Sequence, residues 1–176
     1  MILIFRYVST WLKARQRPKL LPLDESILPL RILPNDLDMN LHINNDRYLS
    51  IMDLGRIDLM TRTDMTRLIL RNHWMPLVAA ATIRFSKSLS IFQRYTLHTR
   101  VVGWNEKWIY IEQRFISNDQ LIAQGRIKGL LRGRSGNINS NTVMKKLGIE
   151  HPSPSLPQDF VLWQQLQQSE LENSLR

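Results

Sequence analysis

Hydrophobic and polar positions change period several times along the chain, and each change predicts an element. Ile4, Phe5, Val8, Trp11 and Leu12 fall on one helical face, with Arg6, Thr10, Lys13 and Arg17 on the other. That pattern predicts an amphipathic helix, which Pro18 and Pro22 stop. Residues Ile27 to Leu33 read as a strand, apolar on both faces and therefore expected to be buried. The cluster Pro34-Asn35-Asp36 breaks it. Tyr48, Met52, Gly55 and Leu59 then recur at helical spacing, and Leu49 and Ile51 widen the stripe. Asn44 or Asn45 suits the N-cap, with Asp46 in the first turn. A glycine inside a helix costs about 1 kcal/mol against alanine, so Gly55 predicts the close approach of a strand. A short helix is predicted over Asp64 to Asn72.

Four strands follow, over residues 78–86, 95–104, 108–117 and 121–132. In the third, Ile109, Ile111, Gln113 and Phe115 alternate with Trp108, Tyr110, Glu112 and Arg114. Short turns, residues 103–107 and then Asn118-Asp119, join these strands, and hairpin-length links predict antiparallel neighbours. The order β–α–β–β–β–β gives an α+β fold in which one sheet buries the long helix. Gly125 and Gly129 are positions for a bulge or a flattening of the last strand. Residues 133–157 are polar and rich in Ser, Asn, Gly and Pro, and read as a linker or irregular tail. A final helix is predicted from Gln158 to Leu171, with Phe160, Trp163 and Leu166 on one side.

Composition narrows the function classes. The chain has 176 residues, 43% of them hydrophobic, which supplies one core. It has no cysteine, which removes disulfides, thiolate nucleophiles and zinc–thiolate sites. His42, His73, His98 and His151 show no metal-ligand spacing, so no metal is expected. The net charge of +9 favours anionic partners. Aromatic residues are not interleaved with the basic ones and no reading motif occurs, so no nucleic-acid partner is expected.

Basic residues concentrate in two places. Arg6, Lys13, Arg15, Arg17 and Lys19 open the chain with no acid among them, and Arg126, Lys128, Arg132 and Arg134 close its middle. No apolar run approaches the ~20 residues that span a bilayer, and no small-residue cleavage site follows residues 1–12. A cytoplasmic chain is therefore expected. Its N-terminal helix either contacts a membrane surface through residues 1–17 or docks on its own domain or a partner subunit. Pattern alone does not separate these.

The chemistry concentrates in residues 35–49, where carboxylates, a histidine and paired asparagines sit between a strand and a helix start. A helix start offers unpaired N–H groups and positive partial charge to a polarised carbonyl. Asp38 beside it suits a nucleophile or base, or else a turn carboxylate bonded to local N–H groups. Asn44 and Asn45 suit helix capping, which is compatible with support of an oxyanion. His42 either orients Asp38, contacts substrate or pins the loop. Asp36 reads as a solvated turn residue and Tyr48 as a core residue.

The run Asp36-Leu37-Asp38 through His42-Ile43-Asn44-Asn45-Asp46-Arg47-Tyr48-Leu49 resembles the DxD…GHxNNxxYL signature of hot-dog acyl-CoA thioesterases, the hydroxybenzoyl-CoA thioesterase group among them. Leu41-His42-Ile43-Asn44-Asn45, residues 102–107 and residues 110–115 are more similar still to the thioesterase-superfamily-member-six-like branch. The resemblance covers roughly residues 27–135. It divides the chain into a basic amphipathic segment (1–22), a hot-dog thioesterase-like domain (23–135), and a linker with a C-terminal helix (136–176).

The resemblance implies a long helix wrapped by a five-stranded antiparallel sheet, with extra helices at both ends. It implies a homodimer or dimer of dimers with sites at the subunit boundary. It casts Asp38 as nucleophile or general base and the start of the helix near Asn44 and Asn45 as the carbonyl-polarising group. Coenzyme A enters as part of the substrate, with no separate cofactor. Arg126, Lys128, Arg132 and Arg134 either hold its phosphates or guard a solvated strand edge. Leu41 departs from the family's usual glycine, a residue that permits unusual backbone angles and close ligand approach. Two functions follow: hydrolysis of a fatty or aryl acyl-CoA, or a non-catalytic acyl-ligand binder or membrane-associated scaffold. A hot-dog dehydratase is not favoured, because its histidine and glutamate arrangement is not visible.

Overall fold

The computed structural model describes residues 2–38 and 42–174. Its elements are α1 (Ile2–Gln16), β1 (Ser26–Arg31), α2 (Asn45–Arg62), α3 (Met65–Asn72), β2 (Met75–Phe85), β3 (Arg94–Trp104), β4 (Ile109–Ser117), β5 (Gln120–Gly133), β6 (Gly136–Asn137), α4 (Ser140–Lys146) and α5 (Gln158–Ser174). The sheet runs β1-β3-β4-β5-β2, every pair antiparallel, with the short β6 added to β5. The β4–β5 hairpin turns on Asn118 and Asp119, both at positive φ (49° and 57°), a geometry that matches the twist of the flanking strands.

The sheet curls around α2. Tyr48, Ile51, Met52 and Leu54 of the helix are buried in one core with Leu97, Phe115 and Ile127 of the strands. Gly55 makes the closest crossing: a Cβ there would lie 2.4 Å from Thr99 Oγ1 and 2.7 Å from Gln113 Nε2. Gly125 does the same from the strand side, where a Cβ would sit 2.3 Å from Met52 Cε. The helix wrapped by five strands is therefore present, and β2 bulges between Val78 and Ala80, opposite Gly129.

Some local expectations change. Strand β1 is not buried on both faces. Among the described residues it is an edge strand paired only with β3, and Ile27 on its outer side is exposed. Residues 133–157 are irregular only after α4, because β6 and α4 lie within them. α4 sits in the core through Val143 and Met144, and Trp104 Nε1 donates to Asn141 Oδ1 at 2.9 Å. Two apolar residues in one short helix leave too little periodicity to read. α5 covers the outer face of the sheet through buried Phe160, which meets Tyr110 edge-on at 6.3 Å; Trp163 packs beside it, but Leu166 is exposed.

Of the alternatives open for α1, docking on its own domain is present, and the helix packs on α2 with its polar side inward. Arg6 and Thr10 are buried, whereas Ile4, Phe5, Val8 and Leu12 face outward. Ion pairs to acids elsewhere in the fold hold it: Arg6 to Asp36, and Arg17, just past its end, to Asp58 at 2.8 Å. Asp58 is fully buried and also accepts from Ser26 Oγ and Arg62 Nη1.

Candidate active site

The loop from β1 to α2 is built from the backbone up. A 3₁₀ turn over Pro34–Asp36 follows the strand, and Asn44 N donates to Asp36 O at 2.8 Å. Asp38 and His42 then close a small loop on each other. Asp38 N donates to His42 O at 2.8 Å, and His42 N donates to Asp38 Oδ1 at 3.3 Å. Ile43 N donates to Leu89 O at 3.3 Å, which ties the loop to the segment before β3. Asn44 is the N-cap of α2, its side chain accepting from Asp46 N at 3.4 Å, and Asn45 is the first helical residue. The arrangement sets a half-buried carboxylate just ahead of the positive end of an 18-residue helix. His42, Asn44 and Asn45 are exposed in the single chain. Leu41 lies outside the described residues.

Asp36 is not a solvated turn residue. Its side chain is 1% exposed, and both its oxygens lie 2.8 Å from Arg6 Nη1. One oxygen also accepts from Leu33 N at 3.0 Å. A partner thirty positions earlier, on another element, is outside what loop composition reveals. The two carboxylates of the DxD run thus have separate surroundings: Asp36 is a buried anchor, and Asp38 stands at the helix start.

The four basic residues of β5 and its turn divide. Arg126 and Lys128 alternate with core residue Ile127, so they point to the outer face of the sheet, where α5 lies. Arg126 pairs with Asp159 at 2.7 Å and its guanidinium lies 5.8 Å from the Phe160 ring centre. Lys128 Nζ sits 4.7 Å over the Trp108 ring; burial lowers its pKa, and the charge of Lys107 lowers it further. Arg132 and Arg134 are exposed. Within one chain, Arg126 and Lys128 are therefore on the face opposite α2.

Sequence reasoning missed a second polar cluster, deeper along α2. Tyr7 donates its hydroxyl to Asp53 Oδ2 at 3.2 Å, and Arg56 also pairs with Asp53. Arg56 Nη1 donates to Gln113 Oε1 at 2.9 Å, and Gln113 Nε2 donates to Met52 O (2.9 Å) and Thr99 Oγ1 (3.0 Å). Burial raises the Tyr7 pKa, as do the charge and hydrogen bond of Asp53; burial lowers that of Arg56, which Asp53 opposes. Tyr7, Asp53 and Arg56 line an apolar cavity of about 290 Å³, walled by aliphatic residues such as Ile57, Met60, Leu77, Val101, Ile111 and Ile127. Asp38 is not among its lining residues. The available signal was Gln113, a polar residue on the inward-facing side of an alternating strand.

Residues 32–163 match the thioesterase-like superfamily. The chain belongs to this superfamily. Among its relatives, the protein THEM6 of Danio rerio is 32% identical over 144 residues, 80% of this chain and 69% of its own length. THEM6 of Xenopus laevis is 30% identical over 135 residues, 75% of this chain and 63% of its own length, so the chain spans about two thirds of these relatives. A probable thioesterase of Saccharomyces cerevisiae is 32% identical over 84 residues, 47% of this chain and 36% of its own. Solved structures share the fold at lower identity. YbaW, a probable thioesterase from Escherichia coli, superposes with a TM-score of 0.64 at 16% identity, covering 69% of this chain and 94% of its own. A gentisyl-coenzyme A thioesterase gives 0.63 at 17%, covering 70% and all of its own chain. The thioesterase-like members thus share the antiparallel sheet around a central helix described above.

Proposed function

We propose that this superfamily member hydrolyses an acyl-CoA thioester, with Asp38 as the working carboxylate. The carrying observation is the pairing of Asp38 with His42 directly ahead of the N-terminus of α2. A thioester carbonyl laid against the first turn would meet N–H groups that carry positive partial charge. Asp38 then acts in one of two balanced ways. As nucleophile it adds to the carbonyl carbon, coenzyme A leaves as its thiolate, and water cleaves the acyl anhydride. As base it takes a proton from water, whose oxygen attacks while the thiolate leaves. The His42 N–H holds the carboxylate in both.

Assembly fits the same reading. Among the described residues of one chain β2 pairs with β5 on one side only, and its Val78 and Phe85 are exposed. A second copy pairing along this edge would continue the sheet, remove an open edge and cover the exposed loop before α2. Pro76, Leu77 and Val78 also line the aliphatic cavity, so dimerisation would close its side. The aliphatic walls favour a fatty acyl group over an aryl one.

Asp53 supports a second reading, because it is the carboxylate at the cavity. From Asn45 to Asp53 is eight helical residues, about 12 Å, so one small acyl group does not reach both. Steady-state hydrolysis of a panel of fatty and aryl acyl-CoAs, with Asp38→Ala and Asp53→Asn alongside, tests both. The proposal expects hydrolysis, fatty over aryl, that Asp38→Ala abolishes and Asp53→Asn retains. The reverse pattern moves the chemistry to Asp53. Saturable acyl-CoA binding with no turnover makes the protein a binder.

A further inference from the structure

The inverted seating of α1 leaves an apolar face that the fold does not use. Ile4 is 68% exposed, Phe5 73%, Val8 49% and Leu12 48%, and all four lie on one side of the helix. Leu70 of α3, 65% exposed, extends the patch, because Val8, Trp11, Ile69, Leu70 and Pro76 line one apolar groove between the two helices. The helix cannot roll to bury this face without breaking three ties: Arg6–Asp36, Tyr7–Asp53 and, just past its end, Arg17–Asp58. The outward apolar face is thus built in by the polar residues opposite it.

Charge on the two helices themselves has one sign. Neither α1 nor α3 contains an acidic residue. Lys13 and Arg15 of α1 and Arg67 and Arg71 of α3 are exposed, and the Arg15 guanidinium lies 4.9 Å from the Trp11 ring centre. The nearest acid in sequence, Asp64, is taken by Lys19 at 2.5 Å. We propose that the joint face of α1 and α3 docks in the plane of an anionic lipid bilayer, with Ile4, Phe5, Val8, Leu12 and Leu70 entering the acyl boundary and the four basic residues meeting the headgroups. Among the described residues no helix is long and apolar enough to cross a membrane, so the contact is with the surface. A second copy of the chain fits this face poorly. A two-fold interface sets the same patch against itself, so the basic residues of each copy would face a patch whose two helices supply no acid. Docking does not depend on the assignment of Asp38.

The test is flotation of the full chain with phosphatidylcholine vesicles, with and without phosphatidylglycerol. The wild type is expected to float with the anionic vesicles and to be released by salt. The double variant Phe5→Ser/Leu12→Ser, altered only at exposed positions, should lose at least about tenfold of that partitioning. Arg67→Gln/Arg71→Gln should lose the preference for phosphatidylglycerol. The proposal is overturned if the wild type stays in the supernatant with both vesicles, or if Phe5→Ser/Leu12→Ser floats as well as it does. It is equally overturned if that variant leaves flotation unchanged and instead converts a dimer to a monomer in analytical ultracentrifugation, which gives the face to a second copy.

Discussion

Arg6 Nη1 lies 2.8 Å from each carboxylate oxygen of Asp36, across thirty positions of sequence. The pair fastens α1 to the turn that leads into the Asp38 loop. Both side chains are nearly out of contact with water, so removing either strands a buried charge. Arg6→Ala or Asp36→Asn should therefore cost about 3–5 kcal/mol. For a chain of this size that corresponds to a fall in Tm on the order of 10 °C, read by thermal denaturation. Arg6→Met/Asp36→Leu should cost much less than the two single changes added together.

Gly55 sets how closely α2 approaches the sheet. Alanine would gain about 1 kcal/mol of helix propensity, yet its Cβ has no room beside Thr99, Gln113 and Leu97. Overpacking of this kind typically costs about 1–3 kcal/mol, and here three neighbours from two strands must move together. Gly55→Ala should be destabilising on balance, by about 1–2 kcal/mol in urea unfolding.

Glu25 predicts an acid-sensitive tie. It bonds His98 Nδ1 at 2.9 Å and Arg114 at 2.6 Å, joining the start of β1 to β3 and β4. Burial works against its charge, but the hydrogen bonds and charges of His98 and Arg114 outweigh it and lower the pKa. A carboxylate with a lowered folded-state pKa adds stability above its ordinary value of 4.5, and that stability is lost as pH falls through the folded value. Thermal melts taken downward from about pH 6 should show a decline that begins near pH 4.5. Glu25→Gln should start lower at pH 6 and decline less.

The order of elements was legible because strong alternation marks the strands, because short turns pair β3 with β4 and β4 with β5, and because Gly55 marks where the helix meets a strand. The pairing of β2 with β5 and of β1 with β3 joins distant segments and was not legible in the pattern. The N-cap was legible to within one residue, Asn44 or Asn45, because capping is local, and Asn44 takes it. What escaped depends on distant partners. No local pattern says that Arg6 will be buried against Asp36, and an amphipathic wheel does not say which face of α1 the domain takes. The Tyr7–Asp53–Arg56–Gln113 cluster joins a terminal helix, the central helix and a strand, so only Gln113 on an apolar face hinted at it. α4 carries too few apolar residues to declare itself.

The central claim is that the carboxylate of Asp38 does chemistry at the start of α2. Asp38→Asn keeps the size of the side chain and an oxygen able to accept the His42 N–H, while removing the nucleophile or base. Turnover of the best fatty acyl-CoA should fall by about 10²-fold or more in kcat, with KM little changed and Tm held. A variant that folds, binds substrate and hydrolyses it at the wild-type rate would contradict the account.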